Sequence, residues 1–317
     1  MLRTQAQSSA LPESSPRERY GSSRGLASVV VPTRNRPDSL LRCLAALLAQ
    51  SYEPLEVIVV DDGSEDGAEV ATAVSAHQAR LVRGQGRGPA AARNLGVREA
   101  SGDFLCFTDD DCEPEPQWVD ALVSRLRAGA DAVAGATLSV GSALAKASEL
   151  AAHAPSVVAP PPGSDVAFAP TNNLACSRKA FDATPFDESF PDAAGEDREW
   201  CARLLEGGHV LALESGARIV HRQQLTLGSF LRQQARYGRG AFRFRRRSGA
   251  VRSFESAGFY GALLREGFGQ GAGVGLLLVA AQMATAVGYA EGWWEDSELP
   301  ARITRGRRNG GARADGG

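Results

Sequence analysis

The sequence has neither a strong net charge nor a paired set of cysteines, and each absence excludes a class of protein. Its formal net charge is −2 over 317 residues, which argues against a general nucleic-acid-binding protein. The five cysteines are odd in number, scattered and without a CxxC pair, so we expect reduced residues in a cytosolic protein, with neither a disulfide framework nor a zinc site. They are Cys43, Cys106, Cys112, Cys176 and Cys201.

Long apolar runs are also scarce. Residues 1–25 are rich in Ser, Arg and Glu and lack the apolar core of a signal peptide, so a disordered tail is expected there, and a second tail over 303–317. The exception is the uncharged segment 272–290, whose length is marginal for a bilayer core of about 30 Å. A buried helix, a membrane-surface helix and a short transmembrane span are all open interpretations of this segment.

The first half of the chain alternates β-branched runs with helical patterns. Strands are predicted over 27–31, 57–60, 80–82, 103–107 and 132–136, and helices from Pro37, over 68–78, from Pro89 and over 117–126. This alternation predicts an α/β fold with a mostly parallel, Rossmann-like sheet and helices on both faces. In the second half we predict a loop over 154–170, strands over 172–176, 210–213 and 217–220, and helices over 195–206 and 227–247.

An apolar strand runs straight into three consecutive carboxylates, Asp109, Asp110 and Asp111. Adjacent like charges repel unless a cation lies between them, and the carboxyl edge of an open α/β sheet is where ligands bind. In extended backbone Asp109 and Asp111 would share one face. Their hard oxygen atoms suit Mg²⁺ or Mn²⁺ better than zinc. The alternative interpretation is a solvated acidic turn.

Two further strands end in polar residues, at 32–35 and at 61–64. An aspartate at such a strand end can accept a hydrogen bond from the N–H of a uracil-like base or from a ribose hydroxyl. Taken singly, each motif is explained equally well by an Asx turn.

Taken together, five ordered motifs resemble those of the family 2 glycosyltransferases, which have the GT-A fold. The motifs are SVVVPTRN at 28–35, VVDDGS at 59–64, AARNLG at 91–96, FTDDD at 107–111 and GED at 195–197. The resemblance covers about residues 27–250. It implies a nucleotide-sugar (donor) half over 26–140, an acceptor half over 141–250 and a C-terminal helical segment over 251–302.

The resemblance also implies roles for individual residues. Contacts to the nucleotide-sugar are expected from Pro32, Thr33, Arg34, Asn35, Asp61, Asp62, Arg93, Asp109 and Asp110. Asp109 and Asp111 would bridge the diphosphate through Mg²⁺ or Mn²⁺, with His221 as a further metal ligand. The metal would neutralise the charge that develops on the leaving diphosphate. A surface arginine and a structural histidine are the competing interpretations of Arg93 and His221.

The general base is expected at the start of a helix, at Glu196 or Asp197. A carboxylate at a helix N-terminus is stabilised as the anion, and the base must reach the acceptor hydroxyl within hydrogen-bond distance. Asp197 is favoured and Glu196 second, because relatives with a Thr-Glu-Asp motif use the last carboxylate. A helix cap is the alternative role.

Contacts to the acceptor or the diphosphate are expected from Asn172, Asn173, Gln233, Arg236 and Tyr237. The run QQARY at 233–237 resembles the Q-x-x-R-W motif of processive relatives such as cellulose synthases. Tyr237 replaces the tryptophan, so the motif leaves processivity open. An amphipathic helix with solvated arginines is the alternative.

The resemblance implies an inverting, metal-dependent transfer of a sugar to the hydroxyl of a saccharide, a lipid-linked molecule or a small molecule. Cell-envelope polysaccharide, glycolipid and natural-product glycan synthesis are the expected settings. An inactive nucleotide-sugar-binding module is the alternative. A sugar nucleotidyltransferase is disfavoured, because the loop at 32–35 lacks the glycines of that class.

The expected location is the cytoplasm, peripherally on the inner face of the plasma membrane. Seven arginines between Arg232 and Arg247 alternate with aromatic residues. Basic groups near an anionic leaflet contribute about 1 kcal/mol each, and aromatic rings favour the interface. The alternative is that these arginines hold a phosphorylated lipid or polymer acceptor.

Overall fold

The computed structural model describes residues 24–153, 160–249 and 255–309. At its centre lies one eight-stranded sheet. In chain order the strands are β1 (Ala27–Thr33), β2 (Leu55–Asp61), β3 (Arg80–Arg83), β4 (Phe104–Phe107), β5 (Cys112–Pro114), β6 (Ala132–Ser139), β7 (Leu174–Ser177) and β8 (Leu211–His221). In space they lie in the order β3-β2-β1-β4-β7-β6-β8-β5.

The sheet is parallel at one end and mixed at the other. Strands β3, β2, β1 and β4 run parallel, so their carboxyl ends meet at one edge. Strand β7 is antiparallel to both β4 and β6, β8 is parallel to β6, and β5 is antiparallel to β8. The predicted α/β sheet is confirmed, with three antiparallel pairs beside four parallel ones.

Helices cover both faces of this sheet. They are α1 (Pro37–Leu48), α2 (Gly67–Ser75), α3 (Pro89–Glu99), α4 (Trp118–Arg127), α5 (Ala143–His153), α6 (Arg178–Ala183), α7 (Glu196–Glu206), α8 (Leu227–Arg247), α9 (Ala257–Gly269) and α10 (Ala272–Asn309). Successive strand residues face opposite sides, so Val29 packs with α1, α2 and α4, and Val30 packs with α3, α6 and α7. Each face of the sheet therefore has its own apolar core.

Several elements differ from the sequence prediction. The two short strands expected over 210–220 form one strand, β8, because a bulge opposite the Gly135–Ala136 step lets pairing with β6 continue. Residues Thr171–Asn173 form a turn of 3₁₀ helix before β7 begins at Leu174. Helices α5 and α6 were not predicted, whereas α9 lies in the segment 251–302 that was expected to be helical. Helix α10 continues to Asn309, into the segment predicted as a tail, and the predicted N-terminal tail lies almost wholly outside the described residues.

The C-terminal helices form a third, smaller layer. A cluster of apolar side chains joins α5, α8, α9 and α10, with Phe230 and Leu278 completely buried at its centre. Helices α8 and α10 approach closely, because a Cβ atom at Gly288 would collide with the carbonyl oxygen of Ala235, and one at Gly238 with that of Thr285. This layer closes over the carboxyl edge of the sheet.

The side of α10 that faces away from α8 is exposed and apolar. Within the described residues, Ala272–Ser297 is the one helical segment long and apolar enough to cross a membrane by length and composition, and 28% of its most apolar window is buried. The large exposed side chains are Leu276, Val279, Met283, Val287, Trp293 and Trp294. No charged residue occurs from 267 to 290.

Candidate active site

A cavity of about 570 Å³ opens at the carboxyl edge of the parallel strands, between α7 and the C-terminal helices. Most of the residues predicted to contact substrate line it. They are Pro32, Thr33, Arg34, Asp62, Arg93, Asp109, Asp110, Asp111, Asn172, Glu196, Asp197, His221, Gln233, Arg236 and Tyr237. Segments from eight parts of the chain therefore converge on one space.

Three predicted contact residues do not line this cavity. The Asp61 carboxylate is completely buried, where it pairs with Arg83 and accepts a hydrogen bond from the N–H of Ser64. The Asn173 amide accepts from the indole of Trp118 and donates to the carbonyl oxygens of Ala136 and Ala217.

The third residue, Asn35, adopts a left-handed backbone with φ of 56°. Its side-chain oxygen accepts from the N–H of Glu65, and its own N–H donates to Ser64. Asn35, Asp61 and Asn173 thus hold loops and strands together, and their neighbours Asp62 and Asn172 face the cavity instead.

The three consecutive aspartates form a turn, contrary to the extended conformation expected from the sequence. The N–H of Cys112 donates to the carbonyl oxygen of Asp109 at 3.1 Å, which closes the turn. The side chains consequently diverge. Asp110 is buried and accepts from the hydroxyl of Thr33 at 2.7 Å, whereas the Asp109 side chain remains 35% exposed.

Arg36, which the sequence analysis did not single out, forms ion pairs with two of these carboxylates. Its guanidinium lies 3.2 Å from Asp110 and 3.0 Å from Asp111. Burial and the charge of Asp111 raise the pKa of Asp110 to about 7, although Arg36 and Thr33 act in the opposite direction. Burial also acts on Asp111, but its hydrogen bond with His221 and the charges of His221 and Arg36 outweigh burial and lower the pKa of Asp111. Asp111 is therefore ionised at neutral pH.

His221 lies between two carboxylates at the end of β8. Its Nε2 atom is 3.3 Å from Asp111, and its Nδ1 atom is 3.0 Å from Glu149 of α5. Burial of the ring disfavours its protonation, but the hydrogen bonds with Asp111 and Glu149 dominate and raise the pKa of His221 to about 10.

The donor atoms at this point fit a hard divalent cation. Among the described residues, one group of potential ligands lies within a mutual distance of 4.8 Å, and it consists of Asp111, Cys112 and His221. Burial raises the pKa of Cys112 well above its usual value, so its sulfur stays a thiol and is a poor ligand. A carboxylate oxygen and an imidazole nitrogen remain, and a cation such as Mn²⁺ would bind Nε2 of His221 with loss of the proton that its raised pKa holds there. Asp109 is not part of the group.

Arg93 of α3 connects the aspartate turn to the start of α7. One guanidinium nitrogen donates to Asp109 at 2.8 Å and the other to Glu196 at 3.1 Å. Burial opposes the charge of this 2%-exposed arginine, yet Asp109 and Glu196 raise its pKa. The competing interpretation of Arg93 as a surface residue is wrong.

Glu196 and Asp197 begin α7, where Gly195 has a left-handed backbone with φ of 89°. Burial, together with the charge of Asp197, raises the pKa of Glu196 to about 7. Burial likewise raises the pKa of Asp197. Glu196 is 3% exposed and bound by Arg93, whereas Asp197 is half-buried and accepts only from the N–H of Arg198 among the described residues. Asp197 is thus the more accessible of the two carboxylates.

The arginines of α8 mostly face carboxylates of the same chain. Arg239 pairs with Glu291, Arg243 with Asp192, Arg245 with Glu255, Arg246 with Asp296, and Arg247 with Asp187 and Glu199. Phe230 and Phe242 are buried, and Phe244 lies beneath the guanidinium of Arg198. Five of the seven arginines are thus paired with carboxylates of the same chain, which the sequence-based picture of a basic, aromatic face presented to lipid did not include.

Comparison with known proteins agrees with this geometry. Residues 28–174 match the family model for glycosyl transferase family 2. The pre-mycofactocin glycosyltransferase of Mycobacterium tuberculosis is 32% identical over 239 residues, which are 71% of this chain and 49% of that protein. Glycosyltransferase AglE of Haloferax volcanii is 38% identical over 115 residues, covering 34% of this chain and 38% of AglE. The chain thus spans about half the length of the first relative.

Two solved structures share the fold. The mannosyltransferase PcManGT from Pyrobaculum calidifontis, in complex with GDP-Man and Mn²⁺, has a TM-score of 0.54 at 20% identity over 92% of this chain and 81% of its own. Glucosyl-3-phosphoglycerate synthase from Mycobacterium tuberculosis, with Mn²⁺, UDP-glucose and phosphoglyceric acid, has a TM-score of 0.52 at 19% identity over 79% and 88%. The chain belongs to the family 2 glycosyltransferases, and its fold is the GT-A fold.

Proposed function

We propose that this protein transfers a sugar from a nucleotide-sugar to an acceptor hydroxyl, with inversion at the transferred carbon. The observation that carries the proposal is that Arg93 joins the aspartate turn to the Glu196–Asp197 pair at one cavity. Leaving-group binding and proton abstraction would then take place in the same cavity. Both named structural relatives hold a nucleotide-sugar and Mn²⁺, which supports a donor of the same class here.

The donor would lie along the carboxyl ends of β1, β2 and β4. The Asp62 carboxylate accepts from the N–H groups of Arg87 and Gly88 at 3.1 and 2.8 Å and lines the cavity. It is placed to meet a base or ribose donor group. Arg34 is exposed at the same rim and is available for a phosphate.

Asp111 and His221 would hold the divalent cation, Mn²⁺ or Mg²⁺, with Asp109 close to the diphosphate. When bound, this cation would supply neutralisation of the charge on the departing nucleoside diphosphate. Arg93 adds a fixed positive charge beside Asp109, in a buried setting where electrostatic interactions are weakly screened.

Asp197 would act as general base. The acceptor hydroxyl gives its proton to the Asp197 carboxylate while its oxygen forms the new bond to the anomeric carbon. The bond from that carbon to the diphosphate oxygen breaks, and its electrons leave with the diphosphate. A single displacement of this kind needs one carboxylate and inverts the anomeric centre. Glu196, held by Arg93, would keep Arg93 and α7 in position.

The acceptor would bind between Asp197 and the C-terminal helices. Gln233, Arg236 and Tyr237 of α8 line that part of the cavity, and Gln233 donates to the Tyr237 hydroxyl at 3.0 Å. Among the described residues, Arg236 has no carboxylate partner, which leaves its charge for a ligand. These groups suit a saccharide, lipid-linked or small-molecule acceptor that offers hydroxyls and a negatively charged group.

A screen for donor binding and turnover tests this function. Thermal shift with nucleoside diphosphates and nucleotide-sugars in Mn²⁺ identifies the donor, because a ligand that binds the folded state raises its Tm. Release of nucleoside diphosphate from the best donor then measures turnover, including slow hydrolysis without acceptor. Binding without release, in the presence of a broad acceptor panel, would instead favour the inactive binding module.

We also propose a peripheral contact between the protein, in the cytoplasm, and an anionic membrane surface. The contact would be made by α10 and not by α8. The exposed face from Leu276 to Trp294 is about 27 Å long at 1.5 Å per residue. The sequence then carries acidic residues at 295, 296 and 298, followed by arginines at 302, 305, 307 and 308. The opposite face packs on α8, where Arg239 pairs with Glu291, so α10 is expected to lie on the membrane and not cross it.

A further inference from the structure

Glu149 is a carboxylate beside the candidate metal site that the family motifs do not include. Its Oε2 atom lies 3.0 Å from Nδ1 of His221, while Nε2 of the same ring faces Asp111 at 3.3 Å. The His221 side chain is 9% exposed and that of Glu149 13% exposed. Both ring nitrogens of a buried histidine are therefore engaged, and the plane of the ring is fixed from two sides.

The position of Glu149 is set by the C-terminal layer and not by the sheet. It lies on α5, whose neighbouring residues Leu144, Ala147, Leu150 and Ala151 pack into the cluster with α8, α9 and α10. The hydroxyl of Ser148 donates to the side-chain oxygen of Gln233 on α8 at 3.1 Å. Packing of the C-terminal helices thus places the Glu149 carboxylate beside Nδ1 of His221, on the side of the ring opposite to Asp111.

The contact between Glu149 and Nδ1 of His221 determines which nitrogen of the ring can bind a cation. A neutral histidine binds a cation through the lone pair of one nitrogen while the other nitrogen keeps its hydrogen. A carboxylate that accepts from Nδ1–H holds the hydrogen on that nitrogen, so Nε2 is the nitrogen that gives up its proton when a cation binds beside Asp111. It also makes the imidazole a stronger ligand, and loss of such a partner typically weakens metal binding about 10–100-fold.

We propose that Glu149 is a positioning residue that fixes the tautomer and orientation of His221, so that Nε2 and the Asp111 carboxylate form a preorganised site for a divalent cation. The inference rests on the metal role proposed above for Asp111 and His221. A purely structural role, in which Glu149 only ties α5 to β8, makes a different prediction, because stability would change and cation affinity would not.

The test measures Mn²⁺ affinity directly, by electron paramagnetic resonance of free Mn²⁺ at saturating UDP, with no turnover required. We expect Glu149→Ala to weaken Mn²⁺ binding about 10–100-fold. Glu149→Gln is expected to recover most of the affinity, because its amide oxygen still accepts from Nδ1–H. The matched control is Lys146→Ala, an exposed position on the same helix, which should bind Mn²⁺ like the wild type.

If Glu149→Ala does not fold, Glu149→Asp provides a second test of the same inference. It keeps the charge but draws the carboxylate back by one methylene, so weaker Mn²⁺ binding is expected with little change in Tm. Wild-type Mn²⁺ affinity in a folded Glu149→Ala or Glu149→Asp protein would overturn the inference, as would a lowered Tm with unchanged affinity. If the wild type itself binds no Mn²⁺ with UDP, the proposed metal role fails first, and that outcome is distinct.

Discussion

Two acidic clusters line the same cavity, yet Asp111 in one and the Glu196–Asp197 pair in the other have pKa values shifted in opposite directions. In the aspartate turn, Arg36 and His221 flank Asp111 and lower its pKa. At the start of α7, burial dominates and raises the pKa values of both Glu196 and Asp197. A carboxylate that stays ionised suits a cation, and one whose pKa is raised toward neutrality suits proton transfer. This difference supports the proposed roles of Asp111 in leaving-group binding and of Asp197 as the base. Asp110, whose pKa is raised to about 7, is instead held by Thr33 and Arg36.

Arg93 is the one side chain, among the described residues, that contacts both clusters. We expect Arg93→Met to cost about 3–5 kcal/mol of stability, since removal of one partner leaves buried charge uncompensated. Denaturant unfolding with a constant m-value measures the loss. Arg93→Lys should fall between the two proteins, because an ammonium cannot reproduce the two-pronged contact. A loss below about 1 kcal/mol would show that the bridge is weak or well hydrated.

Removal of the proposed base should affect catalysis alone. Asp197→Asn is expected to lower transfer by roughly 10²-fold or more, with donor binding retained, because Asp197 belongs to the second cluster. Steady-state rates together with donor titration separate the two effects. The comparison variant is Glu196→Gln. An inactive Glu196→Gln protein beside an active Asp197→Asn protein would reverse the assignment.

The raised pKa values predict a pH profile. A base works in its ionised form, so kcat/KM should fall by about tenfold per pH unit as the pH drops below the pKa of Asp197, which burial raises above the usual aspartate value. A wild-type acidic limb at the ordinary aspartate pKa of about 4 would contradict the raised pKa.

The smallest expected effect concerns the membrane surface. Met283 and Val287 are 61% and 56% exposed on α10, and full burial of such a side chain contributes about 1.5–3 kcal/mol. The double change to Glu should reduce flotation with anionic liposomes about tenfold or more. Leu48→Glu, at an exposed position on α1, should have no effect. Flotation that vanishes in high salt in the wild type would point to exposed arginines instead.

The two clusters also show what sequence patterns can and cannot reveal. The position of Asp111 and Asp197 at the cavity was predictable, because each stands in a short motif at the end of a strand or the start of a helix. The motifs could not separate neighbours, however. Asp61 and Asn173 face the interior while Asp62 and Asn172 face the cavity, since adjacent residues point in different directions.

Residues that depend on packing between distant segments were not predictable. Arg36 matters only because the turn at 109–111 comes to lie beside it, and Glu149 only because α5 is held by the C-terminal helices. The arginines of α8 form a basic run in the sequence, yet their partners include Asp187, Asp192 and Glu291. The density of arginines in the sequence indicated a basic surface patch, but ion pairs in the folded protein neutralise most of these arginines.

The central claim is that the aspartate turn binds the nucleotide through a cation and that the carboxylates of α7 do not. Calorimetry of UDP binding, or of the nucleotide that the screen selects, tests this claim most directly. It would be run in Mn²⁺ and in EDTA on the wild type, Asp111→Asn and Asp197→Asn. We predict that the wild type and Asp197→Asn bind much more tightly in Mn²⁺ than in EDTA, and that Asp111→Asn binds weakly in both. Equal wild-type affinity in Mn²⁺ and EDTA, or an Asp197→Asn protein that behaves like Asp111→Asn, would contradict the account.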